Sequence, residues 1–221
     1  MTFVAISDTH LHNWSQFAIP TESGINSRLL QILKAIEEAA CAADYHAPAG
    51  VVPTVYHGGD LFHVRGSLTP SVLNAVLDFF KTIHRDYGVR FRMIAGNHDL
   101  ETKDSCPMGN AAAALNSLPF VEVVSEKTLF EDHKVALLPW RDSMDDLRAD
   151  LAHVKDAIGA SVASKWTAII HAPVNGVVLG IPDHGFDGKE LASYGFGLVL
   201  AGHYHNHKKI GTVANRALLQ S

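Results

Sequence analysis

The sequence predicts an α/β fold formed by a single domain over residues 1–221. Short runs of apolar, often β-branched residues alternate along the chain with segments in which apolar residues recur at helical spacing. This alternation is typical of layered α/β proteins. A hydrophobic content of 47% in 221 residues suffices for a sizeable core. No internal repeat, low-complexity tract or linker divides the sequence.

Seven runs of four to six residues are expected to form buried strands, because they are apolar and rich in β-branched residues. They occupy residues 2–6, 51–56, 90–95, 121–124, 134–138, 167–170 and 197–201. None approaches the roughly 18 to 20 apolar residues that span a bilayer, and the N-terminus lacks a basic region with a cleavage pattern. We therefore expect a soluble protein with no membrane association, and the absence of a disulfide or zinc motif at its two cysteines favours a reducing, cytoplasmic setting.

Three segments are expected to form helices between these strands. The first contains the apolar pattern of residues 25–36. In the second, Pro70 marks the first turn and Gly88 the end, with Thr69 as the expected N-cap. The third is expected from Ser143 to Ile158, where apolar residues again recur on one face.

Polar side chains follow five of the predicted strands. In chain order they are Asp8 and His10, Asp60, Asn97 and His98, His171, and His203 with His205. In α/β sheets, ligands gather at the carboxyl ends of strands, so we expect these clusters to converge on one edge. Asp8 and His10 are two residues apart, and extended backbone would direct both side chains to the same side. The same reasoning applies to His203 and His205.

Two carboxylates, one amide oxygen and four imidazoles form a mixed oxygen and nitrogen ligand set. Such a set is too poor in oxygen for calcium and lacks thiolate, which favours a transition ion. Seven ligands are too many for one small ion, whereas two ions that share a bridging carboxylate use them all. We therefore expect two divalent metal ions, with Mn²⁺ as the first choice and iron, zinc or nickel as alternatives.

The same residues lie in motifs that resemble the calcineurin-like metallophosphoesterase superfamily. The motifs are SDTH (7–10), GGD (58–60), GNHD (96–99), HAP (171–173) and GHYH (202–205). Each is a weak signal alone, but five in the family's order and spacing are specific. The resemblance implies a two-sheet sandwich flanked by helices in four α/β/β/α layers. It also implies hydrolysis of phosphodiester bonds at two metal ions.

The resemblance further implies a role for each of these residues. It places Asp8, His10 and His205 on one metal ion, Asn97, His171 and His203 on the other, and Asp60 between the two. His98 matches the family's histidine that contacts the phosphate and assists the leaving group. A histidine suits this role because its pKa lies near neutrality.

Longer runs resemble SbcD-type DNA-repair nucleases and their phage relatives. These runs are GGDLFHVRG (58–66), SDTHL (7–11) and LLPW (137–140). They imply DNA as the substrate of an exo- or endonuclease, and place His63 where it positions DNA for cleavage. A solvent-exposed loop histidine is the alternative for His63. Protein serine/threonine phosphatases rank lower, because Arg65-Gly66 is out of their register and Asp99 replaces their glutamate.

Partners and alternative functions follow from the same comparison. SbcD-type nucleases imply a coiled-coil ATPase subunit, although the sequence ends 16 residues after His205, without the region that docks on it. A homodimer through the apolar stripe of residues 72–83 is an alternative to a core role for that stripe.

The net charge of −5 gives no overall basic surface, but bound metal ions would supply local positive charge. The alternative functions are a phosphodiesterase or phosphomonoesterase acting on a small nucleotide, and a non-catalytic scaffold.

Cys41 and Cys106 fit neither a disulfide framework nor a zinc motif. Three other residues are left with two interpretations. His57 and His207 are either ordinary structural histidines or residues that orient metal ligands from behind. Asp99 either accepts a hydrogen bond from His98 or caps the segment that follows it.

Overall fold

The computed structural model describes residues 2–64, 67–104 and 108–210. Arg65 and Gly66, used above to rank the phosphatase alternative, and Cys106 lie outside these described residues. The strands are β1 (Val4–Ile6), β2 (Thr54–His57), β3 (Arg90–Ile94), β4 (Val121–Val124), β5 (Thr128–Phe130), β6 (Val135–Leu138), β7 (Thr167–His171) and β8 (Leu198–Gly202). The helices are α1 (Ser27–His46), α2 (Pro70–Tyr87), α3 (Met144–Ile158) and α4 (Gly188–Ser193), with 3₁₀ segments at Ala111–Ser117 and Ala163–Lys165.

The strands form two four-stranded sheets. The first has the order β1-β2-β3-β4 and is parallel throughout, while the second has the order β5-β6-β7-β8 and is parallel except for the β5–β6 pair. All seven predicted strands are present, and their ends lie within three residues of the predicted ones. The three-residue strand β5 was not predicted, because a half-buried run of that length carries no alternation signal.

Apolar side chains fill three layers around the two sheets. One core lies between the first sheet and helices α1 and α2, and another lies between the second sheet and α3. A third core joins the sheets face to face through Tyr56, Ile94, Leu137 and Ile169, among others. Neighbouring residues of one strand point into different cores, as Val55 and Tyr56 of β2 do. The predicted α/β/β/α layering is confirmed.

The helix ends follow the local signals in the sequence. Helix α2 begins at Pro70 and ends before Gly88, whose φ of 65° is a left-handed conformation that glycine adopts without strain. Thr69 occupies the N-cap position, although its side chain forms no capping hydrogen bond. In α3, the Ser143 side chain accepts a hydrogen bond from the backbone N–H of Asp146.

The apolar stripe of α2 belongs to the core of the chain itself. Val72, Val76, Phe80 and Ile83 are all buried against the first sheet and α1. This stripe is therefore not available for the homodimer contact that was its alternative role. Within the described ranges, no helix combines the length and the apolar character that crossing a membrane requires.

Candidate metal centre

The structure brings all seven expected ligand residues together at the carboxyl ends of the strands. The loops after β1, β2 and β3 carry Asp8 with His10, Asp60, and Asn97 from the first sheet. His171 is the last residue of β7, and His203 and His205 follow β8 in the second sheet. The parallel strands of both sheets point the same way, so these loops meet above the core between the sheets.

Asp8, His10 and His205 form the first group of potential ligands, with one ligand atom from each residue lying within 4.8 Å of the others. Nε2 of His10 lies 2.9 Å from Nε2 of His205, and Nε2 of His205 lies 3.9 Å from Oδ1 of Asp8. The Asp8 side chain is 2% exposed, whereas the His205 side chain is 55% exposed. The group therefore opens to solvent on the His205 side.

Asp60, His171 and His203 form the second group, and Asn97 lies between its two imidazoles. Oδ1 of Asn97 is 3.2 Å from Nε2 of His171 and 2.9 Å from Nδ1 of His203. Nδ1 of His171 is 2.8 Å from the carbonyl oxygen of Gly58, to which it donates. This bond fixes the imidazole so that Nε2 faces Asn97 and Asp60, as metal-binding histidines require.

The Asp60 carboxylate connects the two groups. Its Oδ2 atom lies 3.6 Å from Nε2 of His10 in the first group and 3.4 Å from Nε2 of His171 in the second. Its Oδ1 atom accepts a 2.7 Å hydrogen bond from the backbone N–H of His98. Asp60 is 1% exposed, so a charge at this position needs a partner of opposite sign.

The backbone around these residues is left-handed rather than extended. Asp8, His10, Asp60 and His203 have φ values of 56°, 45°, 56° and 115°. The expectation that extended backbone aligns Asp8 with His10, and His203 with His205, is therefore wrong. The side chains converge because the chain turns sharply after β1 and β8. Non-glycine residues in such conformations concentrate at functional sites.

Two glycines allow the closest approaches within the centre. A Cβ atom on Gly59 would lie 2.4 Å from Nδ1 of His171, and one on Gly96 would lie 2.2 Å from Oδ1 of Asp60. Both distances are too short for any side chain. The glycines of the GGD and GNHD motifs are thus required by space around His171 and Asp60.

The Asp99 carboxylate ties together two of the loops that carry the expected ligands. It accepts hydrogen bonds from the backbone N–H groups of Leu61 at 3.2 Å, Phe62 at 2.7 Å and Gly96 at 2.9 Å. Burial and the nearby Asp60 carboxylate raise the pKa of Asp99 to about 7, against the lowering effect of these N–H donors. Asp99 is thus a buried acceptor that joins the loop after β2 to the loop after β3.

His57 is a buried residue behind the centre, and its neutral imidazole links two loops. Its Nδ1 atom accepts from the backbone N–H of Gly59 at 3.3 Å, so Nε2 carries the proton and donates to Oγ1 of Thr9 at 3.1 Å. Oγ1 of Thr9 in turn donates to the carbonyl oxygen of Leu61 at 3.2 Å. Burial lowers the pKa of His57 to about 3, which matches this neutral tautomer. His207, by contrast, is exposed.

The electrostatics of the centre separate its histidines into two kinds. Burial lowers the pKa of His10 to about 3 and that of His203 to about 4, so both are neutral and able to offer a lone pair. Burial also acts against a charged His171, but the carboxylates of Asp60 and Asp8 outweigh it and raise the pKa of His171 to about 9. The charge on His171 and its hydrogen bond to Asp60 in turn depress the pKa of Asp60, although burial opposes this.

His98 and His63 lie beside the first group. The ring of His98 packs edge-on against His10 at a centroid distance of 4.8 Å, and the ring of His63 stacks on His98 at 4.8 Å. Nδ1 of His63 lies 3.3 Å from Nδ1 of His10. His63 is half-buried among these rings, so the alternative of a solvent-exposed loop histidine is wrong.

Trp140 lies against the second group, and no separate role was expected for it from the sequence. Its indole stacks on the ring of His203 at a centroid distance of 5.4 Å. Its backbone N–H donates to the carbonyl oxygen of Ala95 at 3.0 Å, which joins the end of β6 to the end of β3. The LLPW run therefore contributes a side wall of the centre.

Comparison with known families bears on the chemistry of this site. The pattern of the calcineurin-like phosphoesterase family matches residues 1–207. The chain belongs to this family. Members of the calcineurin-like phosphoesterase family bind divalent metal ions, and the donor atoms described above fit such ions. Carboxylate, amide and imidazole donors converge without thiolate, and one carboxylate oxygen faces imidazoles of both groups.

The sequence is also similar to that of a phage protein. This calcineurin-like phosphoesterase is 25% identical over 176 residues to "Exonuclease subunit 1" of Enterobacteria phage T4. The alignment covers 78% of the chain but 49% of the phage protein, so the chain spans about half the length of that relative.

Removal of the Asp99 carboxylate is expected to destabilise the fold. In Asp99→Ala, the three buried N–H groups lose their acceptor, which we expect to lower the free energy of unfolding by about 3 kcal/mol. Urea unfolding of the metal-free protein measures this change, with Asp183→Ala at an exposed loop position as the control. A loss in Asp99→Ala as small as that of the control would contradict the role assigned to Asp99.

Metal binding is expected to release a proton from His171. With a pKa of about 9, His171 is protonated at neutral pH in the metal-free protein and must become neutral to coordinate. Metal affinity should therefore rise with pH between 7 and 9, by up to about tenfold per pH unit, and level off above 9.

Calorimetric titration at pH 7 in buffers of different ionisation enthalpy measures this proton. The His171→Asn variant serves as the control and should release about one proton fewer than the unmodified protein. Equal proton release by the two proteins would show that His171 is already neutral.

Proposed function

We propose that the protein is a phosphodiesterase that cleaves DNA at two divalent metal ions, in the manner of an SbcD-type nuclease. The observation that carries this proposal is the position of Asp60, whose Oδ2 atom faces His10 of one group and His171 of the other. A shared carboxylate between two ligand groups suits a pair of ions that act on one phosphate. The proposed ligands are Asp8, His10, Asp60, Asn97, His171, His203 and His205.

Manganese is the proposed ion, with iron, zinc or nickel as alternatives. The two carboxylates of the ligand set, Asp8 and Asp60, neutralise only part of the charge of two divalent ions, and the remaining positive charge would attract an anionic ester. When bound, such ions supply Lewis-acid activation of the phosphoryl group and of a water nucleophile. The side chains of the protein would hold the ester in place and donate a proton to the leaving group.

His98 is the proposed proton donor to the departing oxygen. Its backbone N–H donates to Oδ1 of Asp60, which places the residue beside the carboxylate that joins the two groups. Its ring lies edge-on against that of His10, one of the proposed metal ligands. Protonation of the leaving alkoxide by a positioned histidine typically contributes a factor of about 10² to 10⁴ in rate.

His63 is proposed to position the DNA strand through its contacts with two neighbouring rings. It stacks on His98 and contacts Nδ1 of His10 through its own Nδ1 atom. If His10 binds a metal ion through Nε2, its Nδ1 atom carries a proton that His63 can accept. His63 would then stabilise the orientation of the metal ligand His10 as well as that of the DNA strand.

The choice of DNA as substrate is supported by the phage relative, whose name identifies it as an exonuclease subunit. The word "subunit" also supports a partner protein, for which we propose the coiled-coil ATPase that the sequence motifs imply. A small nucleotide is the alternative substrate, and the net charge of −5 favours it because it supplies no overall basic surface for long polyanions.

Substrate preference and the role of His98 can be tested together. The Mn-loaded protein is expected to cleave linear DNA and a nitrophenyl diester faster than a nitrophenyl monoester. His98→Ala should lose about 10² to 10⁴ in rate on DNA, where the leaving alkoxide needs a proton, and less on the nitrophenyl esters, whose leaving group is more acidic. His153→Ala, at an exposed position on α3, is the control and should retain full activity. A preference for the monoester would refute the nuclease proposal, and full DNA cleavage by His98→Ala would remove its assigned role.

The bridging role of Asp60 can be tested by metal counting. The unmodified protein should bind two Mn²⁺ ions per chain, whereas Asp60→Asn should bind both ions at least roughly 100-fold more weakly, because an amide lacks the negative charge. Equilibrium dialysis with elemental analysis measures the stoichiometry without reference to activity. Asp78→Asn, exposed on α2, is the matched control. Two tightly bound ions in Asp60→Asn would contradict the bridging assignment.

A further inference from the structure

A row of aromatic rings leads from the candidate metal centre to the loop that follows β1. His63 stacks on His98, and the indole of Trp14 lies against the ring of His63 at a centroid distance of 4.7 Å. The ring of His12 packs edge-on against Trp14 at 5.0 Å. Trp14 therefore lies two ring contacts from the histidine that would serve the leaving group.

Hydrogen bonds hold Trp14 in this place before any ligand arrives. Its Nε1 atom donates to the carbonyl oxygen of His10 at 3.3 Å, and its own carbonyl oxygen accepts from Nδ2 of Asn26 at 2.8 Å. Oδ1 of Asn26 caps helix α1 by accepting from the backbone N–H of Arg28 at 2.9 Å. Trp14 is thus held through its indole to a residue of the centre and through its backbone to the start of α1.

A positive charge accompanies the indole. Cζ of Arg28 lies 5.5 Å from the centroid of the Trp14 ring, within the range of a cation–π contact. Nη1 of Arg28 donates to the carbonyl oxygen of Gln16 at 3.2 Å, so the guanidinium is also held by the loop. Trp14 and Arg28 are both half-buried, and they present two planar groups, one of them charged.

An open cavity of about 560 Å³ lies between the loop that carries Trp14 and the start of α1, and it is lined by neighbours of Trp14 and Arg28 rather than by these two residues themselves. Its lining includes Asn13, Ser15, Ile19, Ser23, Asn26 and Ser71. Amide and hydroxyl groups can hydrogen-bond the edge of any base, and the volume is within the range of about 300 to 1,000 Å³ typical of ligand pockets. Phe17 and Ile19 of the same loop are 89% and 69% exposed, which leaves apolar surface open to a ligand.

We propose that Trp14 and Arg28 form a nucleobase subsite, which holds an unpaired base of the polynucleotide strand whose phosphate lies at the metal centre. The ligand is a nucleic acid because aromatic rings and arginine next to a phosphate-binding centre combine base stacking with attraction to the backbone. Stacking on an indole tolerates every base, so the subsite would act without sequence preference. This inference rests on the proposed nuclease function and adds to it the place where the strand is held.

The subsite can be tested with oligonucleotides in which one base at a time is replaced by an abasic unit. In the unmodified Mn-loaded protein, removal of the base at the contacted position should raise KM by roughly 5- to 150-fold, the range that base–aromatic stacking supplies. Trp14→Leu should show a similar KM with and without that base. Trp14→Phe, which keeps an aromatic face, should restore most of the difference, and Arg28→Gln should reduce it.

The controls separate this inference from the proposed function. Tyr45→Leu, an exposed aromatic position near the end of α1, should show the full base-dependent difference. Each variant's rate on the nitrophenyl diester reports whether its metal centre still forms, and if Trp14→Leu loses that rate, the Trp14→Phe and Arg28→Gln variants provide the test.

Three results would overturn the inference. If the unmodified protein cleaves oligonucleotides but shows no base-dependent change in KM at any position, or if Trp14→Leu retains the full change, the subsite is refuted while the nuclease function stands. If the unmodified protein hydrolyses the diester but no oligonucleotide, the nuclease function fails and the subsite fails with it.

Discussion

Oδ2 of Asp60 faces the imidazoles of His10 and His171, which come from different sheets, and the rest of the centre is arranged around this contact. The other oxygen of the same carboxylate accepts from the backbone N–H of His98. One side chain thereby sets the distance between the two groups and the position of the neighbouring histidine. This requires the ends of β2 and β7 to stay in register across the core between the sheets, where Tyr56 and Ile169 pack.

The second requirement is a set of buried hydrogen bonds behind the centre. Asp99 holds the loops after β2 and β3 together, and His57 with Thr9 connects the loop after β1 to the loop after β2. These residues are not expected ligands themselves, but they fix the loops that carry the expected ligands. Buried polar groups of this kind hold a geometry only when every donor and acceptor is satisfied, which makes the loops rigid as a unit.

Local signals in the sequence predicted the strands, the helices and the convergence of the site, whereas the order of the four layers came from the resemblance to a known family. Buried strands read as apolar runs, and polar residues at their carboxyl ends identify the centre. The sharp turns at Asp8 and His203 were not predictable, since the spacing rule assumes extended backbone and both residues adopt positive φ. For His57 the sequence left two interpretations open. The ring contacts of Trp14 with His63 and of Trp140 with His203 join residues distant in sequence, which hydrophobic periodicity does not report.

The left-handed backbone at Asp8, His10, Asp60 and His203 has a consequence for the evolution and engineering of this protein. Such conformations cost roughly 1 to 2 kcal/mol for a non-glycine residue, and glycine would relieve most of that cost. At Asp60 the ion pair with His171 and the hydrogen bond from His98 offset this cost, because their loss would leave a buried charge and a buried donor unpaired. His10 has no such ion pair while its imidazole is neutral, so a screen for thermal stability that does not also measure metal binding would favour glycine there and lose one expected ligand.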